Sequence, residues 1–142
     1  MKPIPAAPGE TNDGFNANWL RLVALWGLCA AYLQGAYEKI SNFSGALAEM
    51  QHFGLMPAAP LAVVVILIEL LGSAMVLTGF YRYVGALTLA GFTLASSFIA
   101  NRFWEVGPPA RFPLENAFFE HLGLVGGLLL VAWLDLRTRT RP

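Results

Sequence analysis

The sequence predicts an all-α fold: an integral membrane four-helix bundle with both termini in the cytoplasm. Hydrophobic residues make up 56% of the 142 residues and charged residues 13%, whereas a soluble domain carries about 25% charged residues. A core of this size cannot hide so much apolar surface from water. Four apolar segments are each close to the ~20 residues that a helix needs to cross a bilayer.

The four segments cover residues 19–37, 61–79, 84–100 and 117–134. Only helices and closed barrels satisfy the backbone polar groups in lipid, and the alternating pattern of barrel strands is missing here. We therefore expect four helices. The domain prediction is a flexible N-terminal tail over residues 1–18, a membrane domain over 19–136 and a basic C-terminal tail over 137–142.

The connections between the segments differ in length. "FYRY" is a tight turn between the second and third segments, whereas residues 38–60 form a long link. That link contains "SGALAEMQHFG", which is typical of a short helix with Ser44 as N-cap and Gly54 as its stop. The loop at residues 101–116 is broken by Pro and Gly.

The distribution of Lys and Arg predicts the orientation. One side of the membrane would hold both termini and the short turn, with Lys2, Arg21, Arg82, Arg137, Arg139 and Arg141. The other side would hold Lys39, Arg102 and Arg111. Because cytoplasmic loops are enriched in basic residues, we expect a multi-pass protein of a bacterial inner membrane with both termini cytoplasmic.

Glu69 is the most informative residue of the second segment. It interrupts "VVVILIELLGSAMVLTG", and a charge at the bilayer centre costs about 2.5–3.5 kcal/mol on insertion scales. Gly72 and Ser73 follow three and four residues later, so they share its helix face, and small residues mark helix–helix contacts in lipid. Glu69 should therefore point into the bundle, where it holds helices together, binds a ligand or proton, or contacts another subunit.

Other polar residues of the segments should lie near Glu69. Long Lys and Arg side chains reach inward from the interface, so the sequence predicts a polar pocket with two cations and two carboxylates. The candidate proton-handling residues are Glu69 and Glu120. The candidate ligand-binding residues are Lys39, Arg102, Tyr32, Asn116 and Trp104, the last of which also suits the interfacial belt.

Several classes of function find no support in the sequence. The formal net charge is zero, which gives no indication of nucleic-acid binding. The single cysteine, Cys29, cannot form a disulfide framework or a cysteine-based metal site. Glu120 and His121 are adjacent, about 100° apart on a helix, so they cannot easily share a metal ion. We expect no metal site.

The chain resembles the DoxX-like family of small four-helix membrane proteins. The resemblance begins near Arg21, continues through "GAYEKISNF" with Lys39 and through "HFGLMP", and includes "IELLGSAMVLTGFYR" with Glu69, Gly79 and Arg82. It extends through "NRFWEV" and covers roughly residues 21–136. In "VAWLDLRTR" the chain keeps only the Leu-Asp of the family's final pattern.

The resemblance implies a membrane subunit that supports quinone-linked redox or oxidative-stress chemistry without a redox centre of its own. Quinone is the only cofactor that it suggests, with Lys39 or Arg102 polarising a carbonyl and Glu69 or Glu120 relaying a proton. A partner subunit would supply electrons, so the chain would be an accessory subunit of a membrane oxidoreductase. The alternatives are a non-enzymatic assembly or scaffold protein and a carrier of protons or small molecules. The oligomeric state stays open.

Overall fold

A computed structural model describes residues 10–140, with side chains from residue 17 onward. The fold is all-α, as predicted. Its elements are α1 (Glu10–Ser41), α2 (Phe43–His52), α3 (Ala58–Thr78), α4 (Arg82–Ala100), a short 3-10 turn (Phe103–Glu105) and α5 (Arg111–Arg139).

Three of the helices are long and apolar enough to cross a membrane. They lie at Ala58–Thr78, Arg82–Glu105 and Arg111–Arg139. The expected first crossing, within α1, is not among them. Arg21 and Gln34 lie inside its apolar stretch, and together with its Trp and Tyr residues they lower the mean hydropathy of this helix. The prediction of apolar crossings is therefore confirmed for three helices.

The helices extend beyond the apolar segments that revealed them. α1 begins at Glu10, within the expected tail, and α5 continues to Arg139, so Arg137 and Arg139 belong to a helix. Hydropathy marks the part of a helix that suits hydrocarbon, whereas backbone hydrogen bonding continues past the interface. Residues 1–9 and 141–142, which complete the expected tails, lie outside the described residues.

The short helix α2 lies in the long link, as predicted, but its N-cap differs. Asn42 caps it by accepting a hydrogen bond from the Gly45 backbone N–H at 3.0 Å, so the prediction of Ser44 was wrong by two residues. Asn is at least as good an N-cap as Ser, and it comes first in the chain. Gly54 follows the helix end with φ of 69°, in agreement with the predicted stop.

Packing places α3 between α1 and α4, and α5 against the far side of α4. α1 and α5 touch only sparsely, for instance where Leu28 meets Gly127. The backbones of α3 and α4 approach closely at Gly85, where a Cβ would lie 2.8 Å from the Gly72 carbonyl oxygen. At Gly91 and Gly123, by contrast, an added Cβ would have no neighbouring atom within 4 Å. Small residues permit a contact without specifying which face forms it.

Candidate functional site

Glu69 points into the bundle and pairs with Lys39 of α1. The Lys39 Nζ lies 3.1 Å from Glu69 Oε1 and 3.4 Å from Oε2. The same ammonium donates to the Gly35 carbonyl oxygen at 3.4 Å. A Cβ at Gly35 would lie 3.2 Å from Glu69 Oε1 and 3.3 Å from Lys39 Nζ. Glycine at this position therefore leaves room for the pair, which links α1 to α3.

Most of the surface of both charged side chains is buried. The Glu69 side chain is 6% exposed and that of Lys39 is 15% exposed. Removing one partner of a buried pair leaves an uncompensated charge and costs about 3–5 kcal/mol. The inward orientation of Glu69, predicted from the register of Gly72 and Ser73, is confirmed, since Glu69 is 5% exposed and Ser73 is fully buried.

A cavity of about 870 Å³ adjoins this ion pair. Small-molecule sites in proteins span about 300–1,000 Å³, so the volume suits a ring-shaped ligand. Residues of all five helices contribute to its walls. The polar wall residues include Lys39, Asn42, Glu49 and Glu69. The apolar wall residues include Met50, Val65, Phe92, Ile99 and Leu124. The cavity thus combines apolar walls with a few convergent polar groups, as ligand sites do.

Tyr32 belongs to the same cavity, and its hydroxyl is tied to α4. Its oxygen lies 2.5 Å from Thr93 Oγ1, and Thr93 Oγ1 donates its own proton to the Leu89 carbonyl oxygen at 2.8 Å. Because Thr93 has one hydroxyl proton, Tyr32 must be the donor between the two. The lone pairs of the Tyr32 oxygen therefore stay available to accept a hydrogen bond.

His121 is a cavity residue that the sequence did not reveal. Its Nδ1 lies 2.7 Å from Ser97 Oγ and 3.1 Å from Asn101 Nδ2, and the residue is one of those that line the cavity. The sequence indicated only an interfacial polar residue here. The available signal was the polar spacing of Ser97 and Asn101, which lie four residues apart on one face of the α4 end.

Arg102 and Trp104, both predicted to bind ligand, lie in the turn after α4 and outside the cavity walls. Arg102 donates to the Phe98 carbonyl oxygen at 3.1 Å and pairs with Glu105 at 3.5 Å. The expected convergence of Arg102 with Glu69 is therefore wrong, because this side chain folds back on its own helix end. Trp104 packs edge-on to Phe103, with ring centroids 5.1 Å apart.

Asn116 and Glu120 also lie apart from the cavity walls. Asn116 Nδ2 donates to Glu120 Oε1 at 2.7 Å, and both side chains are exposed. Glu120, the second carboxylate expected in the pocket, therefore does not line the cavity. The reason is the helix register: His121 turns inward, and its neighbour is rotated by about 100°.

A second polar cluster joins the C-terminal end of α3 to α5. Arg82 Nε donates to the Val76 carbonyl oxygen at 2.7 Å, and an Arg82 guanidinium nitrogen lies 4.0 Å from Asp135. Asp135 Oδ2 also accepts from the Tyr83 backbone N–H at 3.2 Å and from Arg139 Nε at 2.9 Å. None of these residues contributes to the cavity walls. Between residues 17 and 140, no three His, Cys, Asp or Glu side chains lie close enough to hold a metal ion.

Comparison with known proteins agrees with the resemblance seen in the sequence. The family model DoxX matches residues 20–102, which is more than half of the chain. The matched range includes α2, α3 and α4, and both residues of the buried ion pair. No curated protein and no solved structure matches the chain.

Proposed function

Because the chain belongs to the DoxX family of membrane proteins, we propose that its cavity binds the ring of a quinone-type ligand. In this proposal the protein is an accessory subunit of a membrane redox system. The observation that carries the proposal is the buried Lys39–Glu69 pair, 3.1 Å apart, at the wall of a cavity of about 870 Å³. A largely buried charge pair that also lines a cavity suits recognition of a polar ring substituent.

Hydrogen-bonding capacity at the pair supports this proposal. Two of the three contacts made by Lys39 Nζ are long, at 3.4 Å to Gly35 and to Glu69 Oε2, so an N–H group can be redirected to a ligand oxygen. Glu69 has spare lone pairs that can accept from a ligand hydroxyl. Tyr32 offers a further acceptor. A quinone supplies two-electron redox chemistry when bound, and these side chains supply hydrogen bonds and a path for protons.

Electrons must enter and leave through a partner in this scheme. Acid, amine, phenol and imidazole groups of the described cavity exchange protons but do not carry electrons between molecules. The protein therefore holds the ring, orients it and delivers protons, while a partner subunit performs electron transfer. Glu69 is the proposed proton-handling residue of the cavity. Glu120, the other sequence candidate, would require a second site on the exposed face of α5.

The surface of α1 supports a fourth crossing of the membrane. Its 32 residues would extend about 48 Å at 1.5 Å per residue, longer than the ~30 Å hydrocarbon core. Trp19, Leu20 and Trp26 are 63%, 71% and 57% exposed, and lipid accommodates such side chains better than water does. With four crossings, both termini lie on one side. The basic residues Arg21, Arg82, Arg137 and Arg139 near that side favour the cytoplasm of a bacterial cell.

The proposal is tested by Glu69→Gln in purified protein. Wild-type protein in detergent should gain thermal stability on addition of a tailed benzoquinone, because a ligand at 100 times its Kd stabilises by about 2.7 kcal/mol. The variant should melt at a lower temperature, because the Lys39 ammonium loses its buried partner, and it should show no gain on addition of the quinone. Glu115→Gln is the matched control, since that carboxylate is paired with Arg111 at a partly exposed position on α5, outside the cavity walls. A gain that is equal in wild type and Glu69→Gln would refute the proposal.

A second candidate function is a membrane scaffold in which the ion pair locks α1 to α3. The observation that favours it is the direct Lys39–Glu69 contact together with the space left by Gly35. Glu69→Gln lowers the thermal midpoint under both functions, but under this alternative added quinone changes the midpoint of neither the wild type nor the variant. The same set of melting curves therefore separates the two functions.

A further inference from the structure

His121 is held by two buried polar side chains, Ser97 of α4 and Asn101 just after the end of that helix. Ser97 is fully buried and Asn101 is 8% exposed, and both lie within hydrogen-bond distance of His121 Nδ1, at 2.7 and 3.1 Å. Burying two polar side chains around one ring nitrogen fixes the orientation of the imidazole, which is the usual role of such partners of histidine. A histidine that only lies at the membrane interface does not require two buried hydrogen-bond partners.

The other ring nitrogen, Nε2, is free for a ligand. No hydrogen bond among residues 17–140 involves it. Within the same residues, Ser73 Oγ is the only buried side-chain polar atom without a partner, so Nε2 is not sealed in the core. His121 is one of the residues that line the cavity, so a ligand held in the cavity lies next to this residue.

The imidazole and the ion pair belong to different walls of the cavity. Lys39 and Glu69 lie on α1 and α3, which pack together, whereas His121 lies on α5, which packs on α4. We propose that His121 is a second ligand-contacting residue, and that the ligand is a ring with an oxygen on each of two sides. One oxygen meets the Lys39–Glu69 pair and the other meets His121 Nε2. This inference rests on the proposed function and specifies the ligand class.

A ring with two para oxygens has this arrangement in both of its redox forms. An N–H at Nε2 serves both forms, because it can donate to a carbonyl oxygen or to the oxygen of a hydroxyl. Asn101 Nδ2 can only donate to Nδ1, at 3.1 Å, so Nδ1 accepts and the neutral ring carries its proton on Nε2. A phenol with one oxygen would use only one of the two polar walls.

The test measures the Kd of two probes for detergent-purified protein: a decyl-tailed para-benzoquinone and a decyl-tailed phenol. His121→Leu should raise the Kd of the quinone about tenfold, the equivalent of one lost hydrogen bond, and leave the Kd of the phenol unchanged. His121→Gln, which retains a hydrogen-bonding group, should restore part of the quinone affinity. Ser97→Ala should raise the Kd of the quinone alone, by about threefold, because the ring loses its orientation.

The matched control is His52→Leu, which changes the other histidine, an exposed residue at the end of α2 and outside the cavity walls. It should change neither Kd. A quinone Kd that His121→Leu leaves within twofold, or an equal loss for both probes, would overturn the role of His121. Failure of the wild type to bind either probe would instead overturn the proposed function. Binding of both probes that depends on Glu69 but not on His121 would overturn only this inference.

Discussion

Two polar clusters lie along α3, one at its middle and one at its C-terminal end, and they differ in what surrounds them. The Lys39–Glu69 pair borders a cavity and keeps long, redirectable contacts. At the other cluster, Asp135 Oδ2 accepts hydrogen bonds from both Tyr83 and Arg139, and Arg82 Nε donates to the Val76 carbonyl oxygen. A cluster whose polar groups already make their hydrogen bonds within the protein serves to hold helices together. A pair with spare capacity beside open space is a candidate site.

The largest expected effect comes from breaking each cluster at one charge. Lys39→Met leaves the Glu69 carboxylate buried without its partner and should destabilise the protein by about 3 kcal/mol. Asp135→Asn should cost less, about 1 kcal/mol, because the amide oxygen still accepts from the Tyr83 N–H and Arg82 keeps its bond to Val76. Thermal unfolding in detergent measures both.

The double variant Lys39→Met with Glu69→Leu separates two causes of instability. One is the loss of the Lys39–Glu69 interaction, and the other is the burial of a carboxylate without a partner. It should recover most of the stability lost in Lys39→Met, since replacing a whole buried pair by apolar residues is often neutral. A double variant as unstable as the single one would mean that the pair itself, and not the unpaired carboxylate, decides stability at this cluster.

The next largest effect comes from replacing the glycine beside each cluster by alanine. Gly79 has φ of 86°, and a Cβ there would lie 2.9 Å from an Arg82 guanidinium nitrogen. Gly79→Ala should therefore destabilise by about 1–2 kcal/mol through left-handed strain. Gly35 lies inside α1, where Ala is the better helix former, and its Cβ would meet only the flexible ends of Glu69 and Lys39.

Gly35→Ala should therefore change the thermal midpoint little while displacing the ion pair and weakening quinone binding. Gly91→Ala is the control for both, because Gly91 is helical and faces open space. It should stabilise α4 by up to about 1 kcal/mol. Equal melting curves for Gly79→Ala and Gly91→Ala would show that the turn after α3 relaxes without strain.

The sequence predicts the apolar helices and the inward face of Glu69, and the physical reason is the lipid. Hydrocarbon accepts neither an unpaired backbone nor a lone carboxylate, so length, hydropathy and the neighbours Gly72 and Ser73 suffice. The order of helices around the bundle does not follow from hydropathy. Lys39 and Arg102 were therefore equal candidates as partners of Glu69, and only the packing of α1 on α3 selects Lys39. His121 was not identified because its partners, Ser97 of α4 and Asn101 just after that helix, are distant from it in the sequence.

The smallest expected effect comes from Arg102, the cation that the sequence placed in the pocket. Its pair with Glu105 is 48% and 53% exposed, and exposed ion pairs contribute about 0–1 kcal/mol. Arg102→Gln should therefore leave the thermal midpoint and the Kd for the tailed quinone nearly unchanged, because the guanidinium lies outside the cavity walls. A clear loss of quinone binding in this variant would mean that the turn after α4 folds over the cavity when the ligand is present, and would weaken the assignment of Lys39 as the sole cation of the site.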